Sequence, residues 1–259
     1  MPQHARPPVE WFGKIAAYHL RPSQKRFETP ILFIHGAGGG KYQFEHWMQF
    51  CSEQGWESYA VDLRGHHESV CENFGSVSIK DYADDVERVI QQIGPCHLVA
   101  HSMGGLVAQL VASRNEFVKK AVFMASDPPA GISQINAFAI KTLAYIPSML
   151  VRGTLTFSRK DVLRFLFSHA DTQNYESLVP ESKRAVFDVA LQRIRIKNIQ
   201  CPTLVVAPKL DKAIPLSTQQ KIAHKYHSEL IEIPDAGHML MLGADWKRPI
   251  EKILEWLAR

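Results

Sequence analysis

From Pro30 onward two patterns of apolar residues alternate along the chain. Short unbroken runs suit strands buried on both faces. Longer stretches with apolar positions three and four residues apart suit helices packed against them. The first run is Ile31-Leu32-Phe33-Ile34, and a helix over residues 42–53 and a strand over 57–61 follow. An amphipathic helix is predicted over 79–93, with Ser78 as its N-cap and Gly94-Pro95 as its stop. The run His97-Leu98-Val99-Ala100 then leads into Leu106-Val107-Ala108-Gln109-Leu110-Val111, which has helical spacing, and a strand over 121–125 comes next. Strands resume over 202–207 and 229–233, and a helix over 246–257 closes the pattern. Such alternation predicts an α/β fold with a mostly parallel central sheet flanked by helices.

Between residues 131 and 199 the alternation fails and the chain reads as mainly helical. The expected organisation is therefore an α/β core of residues 1–126 and 200–259, interrupted by a helical insertion over 127–199. Apolar residues such as Phe138, Leu143, Ile146, Met149, Phe157 and Phe167 run through the insertion. Packing onto the body is the plain reading of that stripe; a lid that closes an apolar pocket is the functional one. Lys141, Arg152, Arg159, Lys160 and Arg164 lie among them, most simply on a solvated helix face.

The segment Ala100-His101-Ser102-Met103-Gly104-Gly105 joins a strand to a helix. A serine on so sharp a turn is held up from the sheet, with the first N–H groups of the helix aimed at any anion forming beside it. Ala100 stands where the elbow pattern usually has glycine. A serine hydroxyl needs a base to take its proton and an acid to orient that base. Asp211 follows the strand over 202–207 by a short loop, and His238 follows the strand over 229–233 by another. Parallel strands present their carboxyl ends at one crevice, so these loops and Ser102 converge. Asp127, just past the strand over 121–125, is the alternative acid, whereas Asp235 is too near His238 along a tight loop.

Across residues 30–258 the sequence resembles the α/β-hydrolase superfamily. The matching pieces, in order, are His35-Gly36, Asp62-Leu63-Arg64-Gly65-His66, the turn at Ser102, Asp211 with Pro215, and Gly237-His238. The resemblance implies an α/β-hydrolase fold with an inserted helical lid. It also implies Ser102 as nucleophile, His238 as general base and then acid, and Asp211 as the residue orienting His238. The oxyanion hole it implies is made by the backbone N–H groups of Ala37 and Met103. The loop Gly36-Ala37-Gly38 and the stretch Gly237–Leu242 with Trp246 look like a branch of small bacterial hydrolases and plant methylesterases. His67 departs from the family pattern, which has glycine there; a positive φ would make the exchange costly. His35 and His101 are expected to shape the pocket rather than to move protons.

Composition trims the options. The length of 259 residues fits one α/β domain with an insertion, and the net charge of +4 is spread too thinly for nucleic-acid binding. No apolar stretch is long enough for a membrane span, and residues 1–10 do not read as a secretory signal. The four cysteines form no CxxC pair and the twelve histidines no metal-ligand spacing, so no metal and no cofactor are expected. These features suggest a cytoplasmic enzyme whose partner is a small-molecule ester. The expectation is a serine hydrolase that cleaves a carboxylic ester or thioester with an apolar acyl part through an acyl-enzyme. Activity should fall at low pH as His238 takes up a proton. The same residues would serve a carbon–carbon bond hydrolase or an acyltransferase. A non-catalytic ligand receptor or scaffold is the alternative of another class.

Overall fold

The computed structural model describes residues 6–167 and 178–259. Strands β1 (Val9–Phe12) and β2 (Ile15–Leu20) form a hairpin across a tight turn in which Gly13 has φ 65°. The remaining strands of the main sheet are β3 (Ile31–Ile34), β4 (Ser58–Val61), β5 (Cys96–His101) and β6 (Val118–Met124). Further along the chain, β7 (Thr154–Leu155) and β8 (Glu181–Ser182) make a separate two-stranded ribbon, and β9 (Thr203–Pro208) and β10 (Glu229–Ile233) complete the main sheet. The order is β1-β2-β4-β3-β5-β6-β9-β10, with β2 antiparallel to β1 and β4 and every other pair parallel.

Helices cover both faces of the sheet, which explains the unbroken apolar runs. Along β3, Leu32 and Ile34 pack beneath α2 (Ile79–Ile93), α3 (Met103–Ala112) and α8 (Leu216–Tyr226). Ile31 and Phe33 pack on the other face with α1 (Glu45–Glu53) and α9 (Lys247–Leu257). Alternate side chains of a strand point to opposite faces, so one short apolar run feeds two cores. The limits of α2 fall where the sequence placed them. Ser78 Oγ accepts from Asp81 N, Asp81 Oδ2 accepts from Ser78 N at 2.9 Å, and Gly94 ends the helix at φ 80°.

Three local features differ from the pattern reading. The β1–β2 hairpin was not expected, because β1 is mostly exposed and β2 contains alanine and histidine in place of a β-branched run. The helix expected over 42–53 begins as a 3₁₀ turn over Lys41–Phe44 and becomes α-helical only at Glu45. The segment between β6 and β9 carries α4 (Ala137–Leu143), α5 (Ile146–Arg152), α6 (Arg159–Phe165) and α7 (Lys183–Ala190), but also the β7–β8 ribbon. Residues 168–177 of the expected insertion, like residues 1–5, lie outside the described residues.

The step from β5 into α3 brings the start of α3 against the backbone at the end of β3. A Cβ on Gly104 would lie 2.2 Å from the carbonyl oxygen of His35 and 2.8 Å from that of Ile34. Both obstacles are backbone, so neither can rotate away. Gly104→Ala is expected to cost about 1–3 kcal/mol, read as a lowered urea midpoint with unchanged m-value. A stability within 0.5 kcal/mol or so of wild type would show that α3 can move off β3 freely.

Candidate active site

Ser102 occupies the turn between β5 and α3 at φ 55°, ψ −123°, a conformation disfavoured for a residue with a side chain. Hydrogen bonds hold it there. Its N–H donates to Met124 O at 3.0 Å, and its carbonyl accepts from Gly105 N at 2.9 Å and Asp127 N at 3.0 Å. The side chain thereby stands above the carboxyl end of the sheet at the floor of a cavity of about 770 Å³.

The loops after β9 and β10 bring Asp211 and His238 to the same place. His238 Nε2 is 3.1 Å from Ser102 Oγ, and His238 Nδ1 is 2.9 Å from Asp211 Oδ2. Asp211 Oδ1 accepts from the backbone of Ala213 at 2.7 Å and of Ile214 at 2.9 Å, so the carboxylate is fixed from behind. Both side chains are buried. With Nδ1–H donating to Asp211, the Nε2 lone pair faces the serine hydroxyl.

Asp127, the alternative acid, also borders the cavity, but its carboxyl makes no hydrogen bond among the described residues. Burial pushes its pKa up from 3.8 to about 6, with His238 opposing the rise and Asp211 adding to it. Asp235 points to solvent, 3.9 Å from Arg248. Ala37 and Met103 line the cavity beside Ser102, and among the described residues neither N–H has a hydrogen-bond partner. The start of α3 leaves the Met103 N–H free by construction.

The surrounding histidines have distinct roles. His101 donates through Nε2 to the carbonyl of His238 at 2.9 Å, and burial together with the neighbouring His238 holds its pKa far below the ordinary imidazole value. His35 accepts from Leu63 N at Nε2, 3.0 Å away, so Nδ1 carries the proton and donates to Gly36 O at 2.7 Å. Burial and the nearby His66 keep His35 neutral. His67 does take a positive φ, 43°, and its ring packs edge-on to Tyr42 at 5.1 Å.

One group that sequence reasoning missed is Glu181 on β8. Its Oε1 accepts from Tyr82 OH at 2.6 Å and Ser182 N at 2.7 Å; its Oε2 accepts from His66 Nε2 and Gly38 N, both at 3.0 Å. Burial opposes charge on both partners of the His66–Glu181 pair. Their mutual attraction and hydrogen bonds prevail, so His66 is raised and Glu181 lowered from their usual values. A lone glutamate in a helical stretch carries no sequence signal for such a place. The cavity over Ser102 is also lined by Phe138, Leu143, Ile146, Met149 and Phe157, whereas Leu150 and Val151 point to solvent.

A sheet of this order with these loops at its carboxyl end defines an α/β hydrolase. The model of the alpha/beta hydrolase family matches residues 31–253, and the chain belongs to that family. It is 27% identical over 236 residues to the AB hydrolase superfamily protein YisY of Bacillus subtilis, covering 81% of this chain and 84% of that one. It is 31% identical over 121 residues to the probable lysophospholipase BODYGUARD 4 of Arabidopsis thaliana, covering 44% of this chain and 29% of the plant protein. Two further curated relatives are matched over only 41% and 60% of their length. Among solved structures, a putative lipase from Acinetobacter baumannii superposes with a TM-score of 0.76 at 19% identity, over 97% of this chain and 90% of that one. Among the described residues no helix is long and apolar enough to cross a membrane.

The Asp127 carboxyl gives a pH signature. Between pH 3.8 and about 6 the native group keeps a proton that the unfolded chain releases, so stability falls as pH rises through that window. Above it, burying the ionised group is a standing cost that Asp127→Asn removes. The variant is expected to be more stable than wild type at pH 7 by about 1–3 kcal/mol, with the gap closing below pH 4 or so, in thermal melts across pH. A wild-type advantage at pH 7 would contradict this account.

Proposed function

We propose that the protein is a serine hydrolase that cleaves carboxylic esters or thioesters with an apolar acyl part. The observation that carries this reading is the line Ser102–His238–Asp211, at 3.1 and 2.9 Å, beneath an apolar cavity. His238 takes the proton of Ser102 as Oγ attacks the acyl carbon. The charge that develops on the acyl oxygen is met by the N–H groups of Ala37 and Met103, which have no hydrogen-bond partner among the described residues. The imidazolium, steadied by Asp211, gives its proton to the departing alcohol or thiol and leaves the acyl group on Ser102. Water, deprotonated by His238, then attacks the acyl carbon, and Ser102 recovers its proton as the acid leaves. In this reading residues 127–199 form a cover over the core of 1–126 and 200–259, and the acyl chain lies against Phe138, Leu143, Ile146 and Met149. The name of the plant relative, a probable lysophospholipase, agrees with an ester of this kind.

The test is hydrolysis of p-nitrophenyl esters from acetate to palmitate. Wild type is expected to turn them over with an optimum at medium chain length. Ser102→Ala and His238→Ala should lose about 10⁴–10⁶ in kcat and Asp211→Asn about 10⁴, while Asp127→Asn stays within about tenfold. Turnover that survives in Ser102→Ala would refute the mechanism. A folded wild type inert on the whole series would refute ester hydrolysis in favour of carbon–carbon substrates or ligand binding.

A further inference from the structure

We propose that Glu181 is a positioning residue for the oxyanion hole, through which the insertion that carries it sets the orientation of the Ala37 N–H. This rests on the reading of Ser102 given above. A peptide unit is planar, so fixing its oxygen fixes its N–H, and a residue is held when the planes on both sides of it are held. The plane before Ala37 contains the Gly36 carbonyl and the Ala37 N–H itself; His35 Nδ1–H grips it at Gly36 O, 2.7 Å away. The plane after Ala37 contains the Gly38 N–H, and Glu181 Oε2 grips it at 3.0 Å. The Gly38 carbonyl is taken as well, by Val179 N at 2.9 Å. One flank of Ala37 is thus secured from within the core, and the other by a segment about 140 residues further along the chain.

The detail of the contact shows how close the seating is. Gly38 has φ 64°, and a Cβ there would lie 2.5 Å from Val179 O, so only glycine fits beneath the segment. Glu181 is held in turn by Tyr82 on α2, by Ser182 N and by His66 after β4. Among the described residues its four hydrogen-bond partners are all donors, which a carboxylate satisfies and a neutral amide does not. The two nitrogens of His66 face acceptors only, Glu181 at Nε2 and the Leu63 and Arg64 carbonyls at Nδ1, which suits an imidazolium. That cation neutralises Glu181, so a carboxylate near the forming oxyanion does not oppose it.

Glu181→Gln keeps the shape but offers an NH₂ group where two donors point. Displacing one oxyanion donor, rather than deleting it, is expected to lower kcat on p-nitrophenyl butyrate about 10–100-fold with KM within about twofold. Affinity for butylboronic acid, which forms a tetrahedral adduct on Ser102, should fall by a similar factor. Asp188→Asn is the comparison. Asp188 is another buried carboxylate of the insertion, bonded to Ile79 N and Arg184 and making no hydrogen bond to the Gly36–Gly38 loop among the described residues; its loss should lower the melting temperature while leaving kcat and boronate affinity unchanged. Glu181→Asp keeps the charge but is a methylene short of Gly38, and it carries the same expectation if the glutamine variant does not fold. Boronate affinity and kcat unchanged in a folded Glu181 variant would overturn the positioning role and leave the ester hydrolase reading intact. An equal loss in Asp188→Asn would overturn it too, as general loosening of the insertion. A wild type that neither turns over esters nor forms the adduct would overturn both readings together.

Discussion

The turn at Ser102 depends on one close approach, the passage of α3 across the end of β3 with Gly104 against the carbonyl oxygen of His35. Because the helix starts so near the sheet, the chain must reverse within a single residue, and Ser102 takes the strained positive-φ conformation that this demands. A strained residue persists only where its surroundings over-determine it. Here the determinants are the β5–β6 pairing beside it and the hydrogen bonds that Ser102 makes to Met124, Gly105 and Asp127. The same passage points the free end of α3 and the loop after β3 at one spot, so Met103 and Ala37 border the cavity together.

Charge is distributed around that spot in pairs. Asp211 faces His238, and Glu181 faces His66, with each carboxylate also taking backbone N–H groups. Between the pairs stand His35 and His101, kept neutral by burial and by neighbouring imidazoles, each spending a proton on a backbone carbonyl of the site. Buried ions are tolerated when they are paired and hydrogen-bonded on every side. Asp127 has no such hydrogen-bonded partner among the described residues, and burial raises its pKa with only the nearby His238 opposing the rise. The contrast gives a physical reason why Asp211, and not Asp127, is the carboxylate hydrogen-bonded to His238. Its Oδ1 accepts from the N–H groups of Ala213 and Ile214, while Oδ2 takes the imidazole's hydrogen bond.

The sequence by itself determined the sheet core from β3 onward, because strands buried on both faces must be apolar throughout and leave an unmistakable run. It also determined which loops meet, since parallel strands put their carboxyl ends together and so bring the loops of Ser102, Asp211 and His238 to one crevice. Asp127 borders that crevice too, and it was the family resemblance that singled out Asp211 and His238. The β1–β2 hairpin escaped notice because β1 is an exposed edge with no apolar pattern and β2, though buried, is built on alanines and a histidine. The β7–β8 ribbon escaped because two-residue strands are too short to show a period. Only the tertiary structure decided what the insertion touches. Glu181 and Gly38 are distant in the chain, and no local preference records a hydrogen bond between them. The partners of His66 and the isolation of Asp127 are likewise facts of packing. Periodicity reports which face of an element is buried; it does not report which distant groups share that burial.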